Sequence, residues 1–125
     1  MRNFFLLTMM LLSSGIFSQT LADAIKQTDN EQFETAEISY KALIQSQPDN
    51  GENYFYLGEN YFKNDNFEMA SASYQKGIAA NATNPLCYVG AGKMQWYQGK
   101  TADAKADFYK ATTLAGSKNV EKTST

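Results

Sequence analysis

The chain has 125 residues, 43% of them apolar and 19% charged, with a net charge of −2. That composition suits one packed domain and is too apolar for a disordered chain. There is no histidine and only one cysteine, which excludes Ser-His and Cys-His nucleophilic arrangements, removes the commonest transition-metal ligand and leaves no intrachain disulfide.

The first element is apolar. Met1 to Asn3 carry one arginine, Phe4 to Leu12 is almost unbroken apolar sequence, and Ser13-Ser14-Gly15 leads into Ile16-Phe17-Ser18-Gln19. That order predicts a secretory signal peptide over residues 1–18, cleaved after Ser18, with a periplasmic or extracellular mature chain. A spanning helix needs about 20 apolar residues. Phe4 to Phe17 is shorter, so no integral span is expected in the mature chain, and an uncleaved membrane anchor is the alternative. Loss of Arg2 would take the net charge from −2 to −3. The remaining lysines alternate with acids, so there is no basic stripe to neutralise phosphates and nucleic acid is not an expected partner.

From there a 34-residue period runs on. Tyr40, Tyr74 and Phe108 share that step, as do Ala36, Ala70 and Ala104, and Ala24, Gly58 and Gly92. A period of this length is the mark of helix pairs stacked into a solenoid, each unit burying its apolar face against its neighbours. The frame predicts units at about 17–50, 51–84 and 85–118, followed by a polar tail at 119–125 too rich in Thr and Ser for a convincing helix. Each unit divides at a polar turn: Asp29-Asn30, Asn64-Asp65-Asn66 and Gln98-Gly99-Lys100. Gly99 suits a left-handed helix end, Thr101 suits a cap for the next helix, and Asn84-Pro85 suits a cap followed by a first helical turn.

In the middle unit Tyr54, Leu57, Gly58 and Tyr61 fall at i, i+3, i+4 and i+7, one stripe of a helix, and Phe67, Ala70 and Tyr74 form the matching stripe of the second. Large rings beside glycine or alanine suit two closely crossing helices, with the small residue admitting the backbone and the ring filling the groove.

These residues resemble the signature of tetratricopeptide repeats, which alternate aromatic, Leu-Gly, Tyr and Ala in this order at this period. Tyr88, Gly92, Gly99, Ala104, Phe108 and Ala111 continue it in the third unit, and Ala24, Phe33, Ala36, Tyr40 and Pro48 in the first. The resemblance covers about 100 residues. It implies an all-α fold, an α-solenoid of three helix-turn-helix repeats. The first unit departs from the pattern at Asp23 and Gln27, which suggests an exposed amino-terminal cap. The family's closing proline is missing after the second unit, where Ala82 stands. At the other end the third unit has no obvious capping helix.

No catalytic constellation accompanies the repeats, and an enzyme is not expected. Glu31 with Glu34, and Asp103 with Asp107, are spaced to share solvated helix faces rather than to act as an acid–base pair. Gly90-Ala91-Gly92 lies inside a helix and is no phosphate loop. Cys87, between Leu86 and Tyr88, reads as a small buried hydrophobe. No cofactor or metal is implied.

What remains is a second face of the first helices. Phe55, Glu59 and Phe62 are spaced i, i+4, i+7, and Val89, Lys93 and Trp96 repeat those places one period later; Leu21, Ile25 and Thr28 hold them in the first unit. By resemblance to the family, this face lines a concave groove that takes a peptide or partner helix. Aromatic anchors, Trp especially, dominate such binding. The competing reading packs Phe62 and Trp96 between neighbouring repeats. Glu59 and Lys93 are placed to pair across adjacent helices. Family members that clamp a terminal carboxylate do so with Lys, Asn and Arg on these helices, and the mature chain has no Arg. The expected function is an exported, non-catalytic scaffold with Phe55, Glu59, Phe62, Val89, Lys93 and Trp96 lining its partner groove. The alternative is an assembly segment that stacks on further repeats or self-associates through its third unit.

Overall fold

The computed structural model describes residues 19–123, with side chains to residue 117. The expected signal peptide lies outside the described residues. Six α-helices follow one another: Leu21–Asp29 (α1), Phe33–Ser46 (α2), Gly51–Lys63 (α3), Phe67–Ala80 (α4), Pro85–Tyr97 (α5) and Thr101–Thr123 (α6). They pack sequentially as three helix pairs, the all-helical repeat architecture expected from the period.

Local chemistry sets most of the helix starts. Thr20 and Asp23 form a reciprocal capping box ahead of α1, and the Thr20 hydroxyl, then its amide, donate to the Asp23 carboxyl and hold it below its ordinary range. Asn50, Asn66 and Asn84 cap α3, α4 and α5 with their side-chain oxygens. The turns inside the three pairs share one conformation. Glu31, Asp65 and Gly99, each 34 residues from the next, have φ of 59°, 58° and 74°. Only the third is a glycine, so at the other two the packed helices hold a side-chain-bearing residue in the left-handed region.

Two local expectations are corrected. Thr101 is the first residue of α6 rather than its cap; the carbonyl of Lys100 already accepts the amide of Ala104. The helix also runs well beyond residue 118, so 119–123 belong to α6 and not to a non-helical tail. No proline interrupts this stretch, and lysines near a helix C-terminus favour the dipole.

The core lies along the stack. Ala24, Ala36, Tyr40, Leu57, Tyr61, Ala70 and Tyr74 are buried together with Ala91 and Met94. A Cβ on Gly58 would stand 2.3 Å from Tyr74 Cε1, and one on Gly92 would stand 2.6 Å from Phe108 Cε1. The glycines therefore admit the rings of the crossing helix, as the stripes implied. Between the first two repeats a buried polar network adds direction. The Thr28 hydroxyl donates to Asn60 Oδ1 at 2.8 Å, Tyr40 lies at 3.0 Å from the same hydroxyl, and Asn60 Nδ2 donates to the Phe33 carbonyl. Burial raises the Tyr40 phenol above its ordinary range.

The two ends of the stack differ. Gln19, ahead of α1, and Asp23 and Lys26 on it occupy the places of Asn53, Leu57 and Asn60, so the first outer face is polar. At the far end, Phe108 is 36% exposed where Tyr74 is fully buried, because no helix among the described residues covers α6. Lys105 and Thr112 replace Ser71 and Ile78 on that face.

Candidate partner-binding face

The first helices of the pairs approach one another closely, α1 against α3 and α3 against α5, whereas the backbones of α2, α4 and α6 stay apart. The stack therefore curves with α1, α3 and α5 on its inner side. Successive first helices are joined there by two ion pairs between residues 34 apart, Lys63 with Asp29 at 2.8 Å and Lys93 with Glu59.

The six groove residues from the sequence stand on α3 and α5 and fall into three environments. Glu59 and Lys93 come together at the middle of the face. Glu59 Oε1 accepts both the Lys93 ammonium and the Tyr74 hydroxyl, the latter at 2.6 Å. The ammonium also lies 4.0 Å from the centre of the Phe62 ring, so each charge is already engaged within the protein. Burial, then the bond to Glu59, drives the Tyr74 phenol far above its ordinary range.

Phe55 and Phe62 are half-buried. Phe55 packs edge-on against Tyr56, with ring centres 5.1 Å apart. Phe62 is drawn into a cluster with Phe67 and Tyr97, at 5.3 and 5.4 Å. Val89 and Trp96, in contrast, are 40% and 60% exposed. The Trp96 ring is therefore not wedged between the described repeats.

One further residue of this region was not singled out from the sequence, and another was expected in the packing instead. Tyr97 is 63% exposed and extends the aromatic surface next to Trp96; Phe67, expected in the packing stripe of α4, is 37% exposed. Phe67 begins α4, where one side of the helix end meets solvent. For Tyr97 a signal existed, since it holds the place of Lys63 and Asp29 one and two periods earlier, where a solvated charge is the pattern.

Among the described residues no group of acids or cysteine is placed to hold a metal ion. Cys87 is buried, its thiol donates to the Gly51 carbonyl, and burial pushes its pKa up to about 12, which removes thiolate reactivity at neutral pH. Asp103 and Asp107 do not share a freely solvated face: Asp107 is partly buried, and burial together with Asp103 raises its carboxyl.

The middle pair, residues 51–84, matches the sequence model of the tetratricopeptide repeat. The chain contains a tetratricopeptide repeat. Solved structures agree on the fold. The type III secretion translocator chaperone SycD of Yersinia enterocolitica is 20% identical, covers 76% of this chain and 72% of its own, and superposes with a TM-score of 0.67. The second tetratricopeptide domain of Spaghetti (RPAP3), bound to the HSP90 peptide SRMEEVD, is 19% identical over 82% of this chain and 93% of its own, at 0.66. MamA is 18% identical over 78% and 57%, at 0.67. No curated protein matches the chain as a relative. This repeat family supplies non-catalytic scaffolds, and no described helix of this chain is long and apolar enough to cross a membrane.

Proposed function

We propose that this protein is an exported scaffold that holds an apolar segment of a partner protein on the inner face of α3 and α5, with Trp96 as its anchor. The observation that carries this reading is the exposure of Trp96 and Val89 beside a charge pair that is already neutralised. An exposed tryptophan on a concave helical face is the kind of anchor that dominates interface energetics. The RPAP3 domain holds its peptide on the same fold. That peptide is acidic, and here the central cation is engaged by Glu59 and the ring of Phe62, which favours an apolar ligand over a terminal carboxylate. Export rests on the apolar run from Phe4 to Leu12, ahead of a first helix capped at Thr20.

Self-association through α6 is the second reading, favoured by the exposed ring of Phe108. Lys105 and Thr112 make that face more polar than the equivalent face of α4, and so the groove reading is preferred.

The test is a quantitative pull-down from the native envelope with the wild-type protein and with Trp96→Ala. Truncation should weaken capture by about 2 kcal/mol, as hot-spot losses do. Equal capture by the two proteins would overturn the groove, and a native protein recovered from the cytoplasm with Met1 intact, instead of a terminus near Gln19, would overturn export.

A further inference from the structure

Because the backbones of α2 and α4 stay apart, the outer side of the stack has a gap between them, floored by the back of α3. It forms a cleft of about 350 Å³, within the roughly 300–1,000 Å³ typical of small-molecule sites. Leu57 and Tyr61 form a buried floor, with Ile44 on the α2 side and Met69 and Ala72 on the α4 side.

The polar atoms of this lining are turned to other partners. The Tyr61 hydroxyl donates to Glu37 at 2.8 Å, Tyr54 to the Pro48 carbonyl at 3.0 Å, and Ser73 to the Met69 carbonyl at 2.9 Å. Ring faces and aliphatic carbon are left to the cleft. Two lysines stand at its rim. Lys41 pairs with Glu37 at 2.5 Å, whereas Lys76 has no carboxylate partner among the described residues. The mouth thus carries one net positive charge on a protein that is acidic as a whole.

The repeat frame does not impose this character. One period on, between α4 and α6, Leu57 becomes Ala91, Tyr61 becomes Gln95, Met69 becomes Asp103 and Ser73 becomes Asp107. That equivalent place has two carboxylates, and one of them resists ionisation. Lys110 keeps the place of Lys76 there, but beside those two carboxylates, whereas the lining of the cleft between α2 and α4 has no carboxylate of its own.

We propose that this cleft binds a small amphiphilic monocarboxylate, its hydrocarbon body against Ile44, Leu57, Tyr61 and Met69 and its anionic head on Lys76. The site is distinct from the inner groove and does not depend on it.

Decanoate, kept below its micellar concentration, and decanol as its uncharged counterpart are titrated into the ¹⁵N-labelled protein while backbone amide shifts are followed. Saturable shifts are expected at Leu57, Met69 and Ala72, with decanoate bound about fivefold more tightly than decanol, the worth of one partly exposed charge pair. Lys76→Gln should erase that preference. Ala72→Phe should abolish binding of both by filling the cleft, and the exposed Lys76 variant keeps the test decisive if Ala72→Phe does not fold. No saturable shifts, shifts centred on Val89 and Trp96, or an undiminished decanoate preference in Lys76→Gln would each overturn the proposal.

Discussion

The ring of Tyr74 occupies the space that a side chain on Gly90 would need: a Cβ built there stands 2.3 Å from Tyr74 Cδ1. The contact joins the second repeat to the third, and the Tyr74 hydroxyl continues to Glu59, which pairs with Lys93. One side chain thus ties the packing between repeats to the floor of the inner groove.

Gly90→Val should therefore destabilise the protein by about 1–3 kcal/mol, the range for overpacking, because the obstacle is a fully buried ring held on both sides. Urea denaturation checks this. Combination with Tyr74→Ala should be markedly non-additive, since the clash disappears with the ring.

Trp96→Ala should leave the melting transition almost unchanged, costing no more than about 0.5 kcal/mol, as expected for a surface residue away from buried networks. Emission from this sole tryptophan should lie at the long wavelength of a hydrated indole. A blue-shifted maximum with a collapsed melting temperature would place the ring in the core.

Two carboxylates should give opposite pH signatures. Glu37 is held below its ordinary range by its bond to Lys41, and by Tyr61 as well, so its contribution to stability is present above the unfolded value near 4.5 and is lost as pH falls through the lower folded value. Glu37→Gln should flatten that acid limb. Asp107 is raised by burial and Asp103, so the folded state binds the proton more tightly and stability falls as pH rises from 3.8 through the folded value. Asp107→Asn should stabilise the protein at pH 7 by a few tenths of a kcal/mol, kept small by solvent screening. Thermal melts from pH 3 to 7 distinguish the two.

In-frame deletion of residues 51–84 should leave a largely unfolded chain. Each repeat is stabilised by its neighbours, and about three are needed. The deletion also removes Asn60 and Tyr61, which join α3 to α1 and α2 through Thr28 and Glu37. Far-ultraviolet circular dichroism should show a loss of helix per residue well beyond that of the deleted segment.

The period of 34 was sufficient for the architecture because a stacked repeat must place the same residue type at the same contact each time. Tyr40 and Tyr74, Ala36 and Ala70, and the left-handed turn positions 31, 65 and 99 all obey that rule. The Glu59–Lys93 pair was legible for the same reason, being two opposite charges one period apart. What periodicity could not assign was exposure. Phe62 and Trp96 occupy equivalent places, yet one is drawn into a ring cluster and the other stands in solvent, because among the described residues Phe62 has a following repeat beside it and Trp96 has none. The outer cleft was hidden too, since its floor and rim come from three helices and exist only because α2 and α4 splay apart. Local residue type and spacing determined which helices form and how they pair; the curvature and the unequal ends of the stack decided which surfaces remain open to a ligand.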